Sequence, residues 1–124
     1  MSQAYGPYSP CRVANGFVYS AGQIGAVEGK APADVQSQVR QALKNLADVL
    51  EEAGSGLDMV VKTTVFLTDM SHYAAMNEVY AAEFTKAGVA PARSCIAVAE
   101  LPRVADRPLL VEIEAVALLR EYTA

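Results

Sequence analysis

The segment LLVEIEAVALL, residues 109–119, alternates between two kinds of side chain and predicts a β-strand with two unlike faces. Successive side chains of a strand point to opposite sides of a sheet. One side of this strand is wholly apolar and consists of Leu109, Val111, Ile113, Ala115 and Ala117. The other side mixes carboxylates with apolar residues and consists of Leu110, Glu112, Glu114, Val116 and Leu118. We therefore expect helices to cover the first face and a different partner to meet the second.

Two segments upstream have apolar residues at helical spacing. The first begins near Pro32 and ends before Gly54, a proline and a glycine at the positions that favour the start and the end of a helix. Its apolar stripe is Val35, Val39, Ala42, Leu43, Leu46, Leu50 and Ala53. The second begins near Ser71, a potential N-cap, and ends at Gly88. Its stripe is Tyr73, Met76, Tyr80, Phe84 and Ala87. Both segments are predicted to be amphipathic helices.

Three further segments are rich in β-branched and aromatic residues and predict strands. They are GFVYSAG (16–22), MVVKTTVFLTD (59–69) and RSCIAVAEL (93–101), and a short strand is expected near Cys11. The order of strands and helices predicts an α+β fold in which a mixed sheet packs both helices on one face. Because only PRVADRP (102–108) separates the last two strands, we expect them to form an antiparallel hairpin.

The same alternation divides the strand over 93–101. Ile96 and Val98 are expected to join the helix-facing side. The uncovered face would then contain Arg93, Cys95, Ala97 and Ala99 together with Glu112 and Glu114. A half-apolar sheet face that no helix covers is typical of an association surface, and charges buried in it need an opposite charge or a ligand. We therefore predict self-assembly, with a site in a cleft between subunits.

The composition limits the possible classes of protein. With 124 residues, of which 52% are hydrophobic, the chain fits one domain over 1–124. The net charge of −4 and the scattered basic residues argue against nucleic acid or an anionic membrane as a partner. The first residues lack the pattern of a targeting signal, and no stretch reaches about 18 consecutive apolar residues. We expect a cytoplasmic protein in which Cys11 and Cys95 are reduced thiols.

Two features of the sequence partly resemble a phosphate-binding loop and a histidine site. GAVEGKA (25–31) resembles a phosphate-binding loop, but three residues rather than four separate its glycines, and Ala31 replaces the required Ser or Thr. It is predicted to be a polar turn. His72 is the only histidine, and a single histidine forms neither a metal site nor a catalytic triad. It is predicted to be a surface residue.

Several motifs together resemble the Rid family, the reactive intermediate deaminases that are also called the YjgF family. They are GPYSP (6–10), SAGQIG (20–25), VVKTTVFLTDMSHYAAMNEVYAAEF (60–84), PARSCIAVAELP (91–102) and LVEIEAVAL (110–118). The resemblance extends from about Gly6 to Leu118. It implies a chorismate-mutase-like α+β fold, a homotrimer with sites between subunits, and hydrolysis of enamine and imine intermediates to keto acids and ammonia. Such chemistry requires no metal and no cofactor.

The resemblance also implies roles for individual residues. Arg93 corresponds to the residue that binds the substrate carboxylate, which a guanidinium can hold through two parallel hydrogen bonds. Glu112 corresponds to the residue that positions or activates the hydrolytic water. Cys95 corresponds to a position whose backbone lines the pocket beside the reacting nitrogen. Further pocket positions correspond to Tyr8, Asn77, Tyr80, Gly22 and Gln23.

Some of these residues also have a simpler structural interpretation. Tyr80 lies on the apolar stripe of the second helix and could belong to the core. Cys95 has no histidine near it in the sequence, so it is not expected to act as a nucleophile. Glu114 and Cys11 are expected to be structural. For Glu112, a neighbouring arginine would lower the carboxyl pKa and desolvation would raise it, and the sequence does not decide between the two effects.

Two departures from the family pattern concern the substrate. PRVADRPLL (102–110) is longer than the usual turn by about four residues. It carries Arg103 and Arg107, which predict a larger or dicarboxylic substrate, as in the aminomuconate deaminases of this family. Ala21 stands where many members have serine, which removes one possible hydrogen bond.

The expected function is the hydrolysis of intermediates of the 2-aminoacrylate and 2-iminopropanoate type. Two alternatives are a 2-aminomuconate-type deaminase of a catabolic pathway and a non-catalytic ligand-binding or chaperone-like trimer. Ribonuclease activity has been ascribed to the family, but the acidic net charge and the lack of a basic groove argue against it here.

Overall fold

One mixed sheet and two helices make up the computed structural model, which describes residues 4–86 and 88–122. The strands are β1 (Cys11–Ala14), β2 (Phe17–Ser20), β3 (Gln23–Ile24), β4 (Val60–Leu67), β5 (Ala92–Ala97) and β6 (Val111–Leu118). The helices are α1 (Val35–Glu52) and α2 (Tyr73–Thr85). The predicted α+β fold, with both helices packed on one face of the sheet, is confirmed. Neither helix is long and apolar enough to cross a membrane, within the described ranges.

The strand β6 lies at the centre of the sheet. The strand order is β1-β2-β6-β4-β5, and β3 pairs with the start of β6. β6 is antiparallel to all its neighbours, whereas β5 pairs with β4 in parallel. The predicted hairpin between the last two strands is therefore wrong. Because the helix α2 connects β4 to β5, the chain returns in the same direction beside β4, and β4 takes the place next to β6.

The two faces of β6 are as predicted. The buried side consists of Val111, Ile113, Ala115 and Ala117, which join both helices in the main core. On the other side Glu112 aligns with Phe66 of β4, which in turn aligns with Ile96 of β5, and Tyr19 of β2 aligns with Val116. In the part of the chain that the structure describes, no helix covers this second side. We call it the open face.

The alternation in β5 is the reverse of the prediction. Arg93 aligns with Thr63 of β4 and Cys95 aligns with Val65, and both of these β4 residues are fully buried. Residues in register on neighbouring strands share a face, so Arg93 and Cys95 lie on the helix side. Ile96 lies on the open face and is 47% exposed. The hydrophobic pattern misleads here because β5 is an edge strand and the open face is itself partly apolar.

The helix α1 begins later than predicted. Its N-cap is Asp34, whose carboxylate accepts a hydrogen bond of 2.9 Å from the backbone N–H of Ser37, so the helix does not start at Pro32. The predicted end is confirmed: the helix ends at Glu52, and Gly54 follows with a φ of 91°, a left-handed conformation that glycine adopts without a steric penalty.

The start of α2 also depends on an aspartate. Asp69 accepts a hydrogen bond of 2.8 Å from the backbone N–H of Ser71 and caps a 3-10 turn over Met70–His72 that leads into α2. Asp69 thus takes the capping role predicted for Ser71. Ala87, which the prediction places on the stripe of this helix, lies outside the described residues.

Candidate active site

Arg93 packs against two tyrosines of α2. Its guanidinium carbon lies 4.7 Å from the ring centroid of Tyr80 and 5.5 Å from that of Tyr73. Its Nη2 donates a hydrogen bond of 3.1 Å to Tyr73 Oη, and Nη1 lies 3.8 Å from the sulfur of Met76. Across residues 4–86 and 88–122, no carboxylate forms an ion pair with it. A half-buried cation with aromatic support and no anion is suited to binding an anionic ligand.

Tyr80 and Asn77 extend this arrangement along α2. Tyr80 is buried and forms a hydrogen bond of 2.6 Å with Thr63 Oγ1. Burial raises the pKa of Tyr80, and the hydrogen bond and the charge of Arg93 act in the opposite direction. Asn77 lies one helical turn from both Tyr73 and Tyr80, and its Oδ1 is buried with no hydrogen-bond partner among the described residues. We name Arg93, Tyr73, Asn77 and Tyr80 the arginine half-site.

β5 is the last strand of the sheet, and its outer edge, which we call the open edge, carries the backbone of Cys95 beside Arg93. Val98 N–H donates a hydrogen bond of 2.8 Å to Leu67 O of the neighbouring strand. Along a parallel strand, residues that bond to one neighbour alternate with residues that point away from it. The N–H and C=O of Cys95 therefore point away from β4. The side chain packs against the main core, where burial raises the thiol pKa and Arg93 acts in the opposite direction. The backbone of Cys95, rather than a thiolate, is available to a ligand.

Glu112 projects from the open face and lies against Gly22. A Cβ atom at Gly22 would lie 2.7 Å from Glu112 Cδ and would collide with the carboxylate, so glycine is required for this approach. The strand β3 holds the segment in place, because Ile24 pairs with Glu112. Gln23 is buried, and its Nε2 donates a hydrogen bond of 3.2 Å to Ala21 O, which closes the turn around Gly22.

The pKa of Glu112 is raised above the ordinary value for a glutamate. Burial is the larger cause, and the negative charge of Glu114 on the same side of β6 is the second. Arg93 does not contribute. Of the two opposing effects that the sequence left open, desolvation prevails within one chain. A carboxylate with a raised pKa is a stronger proton acceptor than an ordinary one, which suits a general base.

Glu112 forms part of the wall of a cavity of about 310 Å³. Gly22, Gln23 and Tyr8 also line this cavity. Tyr8 is held by its hydroxyl oxygen, which accepts a hydrogen bond of 3.1 Å from the backbone N–H of Tyr5. We name Glu112, Gly22, Gln23 and Tyr8 the glutamate half-site, and we call the cavity the glutamate cavity.

The two half-sites do not meet within one chain. Arg93 aligns with Thr63, which aligns with Ala115 of β6, three residues from Glu112. At about 3.3 Å per residue and about 4.8 Å per strand, the Cα atoms of Arg93 and Glu112 are about 14 Å apart. Their side chains leave opposite faces of the sheet. The expectation that Arg93, Cys95 and Glu112 share one surface of the chain is therefore wrong.

Tyr73 of the arginine half-site and two lining residues of the glutamate cavity are absent from the sequence prediction of the site. The sequence predicts Tyr73 only as part of the apolar stripe of the second helix, although its spacing of one turn from Asn77 places it on the same helix face. Asn45 and Asp48 line the glutamate cavity from α1. Nothing in the sequence distinguishes these two residues from the solvent-facing positions of an amphipathic helix.

The remaining candidate residues have structural surroundings. Cys11 packs against the main core, as expected, and burial and the charge of Glu52 raise its pKa. Both cysteines are free thiols. His72 is partly exposed in the turn before α2. The segment 25–31 is the predicted polar turn, in which Glu28 and Gly29 adopt positive φ between a pair of bridging residues. Over the described residues, no group of three or more His, Cys, Asp and Glu side chains is placed to hold a metal ion.

Comparison with known proteins decides the family. The sequence model of the family described as Endoribonuclease L-PSP matches residues 1–119. The chain belongs to this family, the Rid or YjgF family. The resemblance that the motifs predict is thereby confirmed.

Relatives of this Rid chain have several different names. A RutC family protein of Synechocystis is 48% identical over 120 residues, which cover 92% of this chain and 87% of the relative. The 2-iminobutanoate/2-iminopropanoate deaminase of Escherichia coli is 40% identical over 120 residues, with 94% and 91% of the two chains covered.

Solved structures share the fold of the chain closely. The YjgF gene product of E. coli has a TM-score of 0.87 and 38% sequence identity, with 96% of this chain and 93% of that chain covered. E. coli TdcF with bound serine has a TM-score of 0.86 and 38% identity, with 94% and 91% covered.

Proposed function

We propose that this chain is a deaminase that hydrolyses 2-imino acids, and the enamines that tautomerise to them, to 2-keto acids and ammonia. In this reaction water adds to the imine carbon, its oxygen bonds to that carbon, and one of its protons reaches the nitrogen. The hydroxyl proton of the resulting carbinolamine then moves to the nitrogen, and ammonia leaves as the C–N bond breaks and the C=O bond forms. The E. coli relative that is named a 2-iminobutanoate/2-iminopropanoate deaminase supports this chemistry at 40% identity.

The proposed site lies between subunits of a homotrimer. Arg93 of one subunit holds the substrate carboxylate, and Glu112 of the next subunit handles water. The observation that carries this proposal is the separation of the two half-sites onto opposite faces of one sheet, each with only part of the required chemistry. The arginine half-site has a cation without a carboxylate, and the glutamate half-site has a partly buried carboxylate without a cation.

Each half-site has a defined task in the hydrolysis. Arg93 fixes the carboxylate through parallel hydrogen bonds, and Tyr73 and Tyr80 hold the guanidinium in place. The open-edge N–H of Cys95 donates a hydrogen bond to a substrate group beside Arg93. Glu112 accepts a proton from the attacking water, for which its raised pKa is favourable.

A small set of groups is sufficient for this reaction. The carbon of a 2-imino acid is already electrophilic, so holding the imine and one water in position supplies much of the acceleration. One proton acceptor supplies the remainder. Arg93 and Glu112 meet these two requirements when they belong to adjacent subunits.

Mixing two inactive variants tests the shared site. Arg93→Ala and Glu112→Gln each remove one half-site, and each variant alone is expected to lose activity. In mixed trimers an intact Arg93 half-site can adjoin an intact Glu112 half-site. In a ring of subunits assembled at random from equal amounts, about one site in four is intact. We therefore expect activity to recover to about a quarter of the native value, measured as pyruvate formed from 2-aminoacrylate that a dehydratase generates in place.

The control for subunit mixing is the double variant Arg93→Ala/Glu112→Gln mixed with native chain. In that mixture a site is intact only where two native subunits adjoin, which is again about one in four. A shared site therefore predicts that the activity of the control falls from the half that unmixed native trimers give to about a quarter. With subunit exchange verified by native mass spectrometry, a control that stays at half and no recovery between the single variants would contradict a site shared by two subunits. If native protein fails to accelerate the hydrolysis of any 2-imino acid but binds 2-keto acids as a trimer, the non-catalytic ligand-binding alternative is correct instead.

A further inference from the structure

The long connection between β5 and β6 forms a wall of the glutamate cavity. Pro102 and Val104 of this connection line the cavity together with Glu112. Val104 also packs against a second apolar cluster, separate from the main core, that contains Ile24 and Leu109. The connection therefore contributes apolar side chains to the cavity wall, and Val104 is held there by packing against the second apolar cluster.

The connection is fixed to the turn at 25–31 by one aspartate. Asp106 Oδ1 accepts a hydrogen bond of 3.0 Å from the backbone N–H of Ala31, and the Asp106 backbone N–H donates one of 2.8 Å to Gly29 O. These bonds join two segments that lie far apart in the sequence. They hold the connection that carries Val104 against the turn at 25–31.

The charges around the glutamate cavity are negative. Of the described residues that line it, Asp48 and Glu112 carry charge, and both are carboxylates. Lys44 lies 3.5 Å from Asp48, but its side chain is 70% exposed and it does not line the cavity. An ion pair in such a position is screened by water and salt. A second carboxylate on a substrate would therefore meet like charge inside the cavity.

The amide side chains that line the cavity are largely committed to the protein backbone. Asn45 Nδ2 donates hydrogen bonds to Ile24 O and Ala26 O at 2.9 and 3.0 Å, and its Oδ1 accepts one from Gln41. Gln23 Nε2 donates to Ala21 O. The two amides thus offer little hydrogen-bonding capacity to an anionic group.

The arginines of the connection are placed elsewhere. Arg103 is 87% exposed and pairs with Glu100 at 2.9 Å. Arg103 and Arg107 line a different groove, which the glutamate half-site does not share. The positions of these two arginines in the structure therefore give no support to the expected dicarboxylic substrate.

We propose that Val104 is a specificity-determining residue in the wall of the glutamate cavity. The cavity takes the substrate side chain. It selects 2-imino acids whose side chain is uncharged and apolar over those with a second carboxylate. This inference rests on the proposed function. The α-carboxylate is bound outside the cavity by Arg93 of the adjacent subunit, so a single cation serves the substrate. Asp106 is a positioning residue for the wall.

A series of imino acids tests the selection. An amino acid oxidase makes each 2-imino acid in place from leucine, methionine, phenylalanine or glutamate, and semicarbazide traps what the protein has not hydrolysed. We expect kcat/KM for the glutamate-derived imine to be lower than for the leucine- and methionine-derived imines by more than about tenfold. Equal or greater kcat/KM for the glutamate-derived imine would overturn the inference.

Two variants of Val104 and one control test whether the cavity wall at Val104 causes the discrimination against the glutamate-derived imine. Val104→Lys places a cation in the cavity and is expected to reduce the discrimination against the glutamate-derived imine by about tenfold. Val104→Ala, which preserves an apolar wall, is expected to favour the phenylalanine-derived imine and to leave that discrimination unchanged. Arg103→Ala is expected to change neither. Selective loss of glutamate-derived turnover in Arg103→Ala would overturn the inference in favour of the dicarboxylate interpretation.

The series also separates this inference from the proposed function. Turnover of several imines without the expected ranking overturns the role of Val104 and leaves the deaminase proposal in place. No turnover of any imine overturns both. Asp106→Asn retains an acceptor for the Ala31 N–H, so it is expected to keep the native ranking. Asp106→Ala is expected to weaken the ranking of the imines by kcat/KM. It should not change the KM of the leucine-derived imine, the smallest of the series, by more than about threefold.

Discussion

Arg93 lies over the ring of Tyr80, with 4.7 Å between the guanidinium carbon and the ring centroid. The hydroxyl of the same tyrosine is bonded to Thr63 of the strand β4 at 2.6 Å. Tyr80 therefore belongs both to the core and to the arginine half-site, and the two interpretations of this residue from the sequence are compatible. Its ring and its hydroxyl can be tested separately, because each contacts a different group.

Substitution of Tyr80 is expected to separate binding from stability. Tyr80→Leu removes the ring beneath Arg93, a contact worth about 1 kcal/mol, so KM should rise about fivefold. Tyr80→Phe keeps the ring and should change KM less than twofold, but it leaves the Thr63 hydroxyl without its partner and should cost about 1 kcal/mol in free energy of unfolding. Steady-state kinetics and urea denaturation measure the two effects.

The matched control for Tyr80→Phe is the double variant Thr63→Val/Tyr80→Phe. Replacing both hydrogen-bonding partners by apolar groups of similar shape should be nearly neutral, so part of the stability lost in Tyr80→Phe should return. A double variant that is less stable than Tyr80→Phe would show that the Thr63–Tyr80 hydrogen bond does not explain the loss.

Gly22→Ala is expected to impair catalysis more than folding. The added methyl group would collide with the Glu112 carboxylate, which can turn aside because it is the end of a flexible side chain. We expect kcat to fall by about tenfold or more through loss of the positioned base, with the free energy of unfolding reduced by no more than about 1 kcal/mol. Ala21→Ser, at the next position in the same cavity wall, should retain kcat within about threefold. Native kcat in Gly22→Ala would contradict the role of Glu112.

Much of the fold follows from the sequence, because local signals determine it. The alternation in β6 and the helical stripes each depend on burial of one face, and both are visible within a single segment. The position of β5 depends instead on the crossover through α2, and its alternation is ambiguous because Ile96 lies on an open apolar face. The separation of Arg93 from Glu112 follows from these two long-range features, so local pattern could not reveal it.

The raised pKa of Glu112 predicts the pH dependence of activity. Burial and the charge of Glu114 both favour the protonated form. The base form therefore appears only as pH rises through this raised pKa, and kcat/KM should increase over that range. Glu114→Gln removes the like charge, so the acid limb of the profile should move to lower pH, whereas Asp48→Asn should move it less. An acid limb at the same pH in Glu114→Gln would show that Glu114 does not act on the base.

The same shift predicts the pH dependence of stability. A carboxyl group whose pKa is higher in the folded than in the unfolded chain binds more protons when folded, so its contribution to stability is present below the unfolded pKa and is lost as pH rises through the folded pKa. Glu112→Gln should therefore be more stable than native protein at neutral pH, and the difference should vanish below the ordinary glutamate pKa. Urea denaturation at several pH values measures this, and a native-like pH slope in the variant would contradict it.

Ile96 tests whether the open face is the association surface. Its side chain is 47% exposed beside Phe66, and Val13 of β1 is also 47% exposed but aligns with the buried Val18 on the helix side. Ile96→Lys would bury a charge if subunits meet at the open face, so we expect it to dissociate the proposed trimer and abolish the proposed deaminase activity while each chain stays folded. Val13→Lys, equally exposed on the other side, should remain trimeric and active. Light scattering gives the mass of each variant, and a trimeric Ile96→Lys would place the subunit contact elsewhere on the molecule.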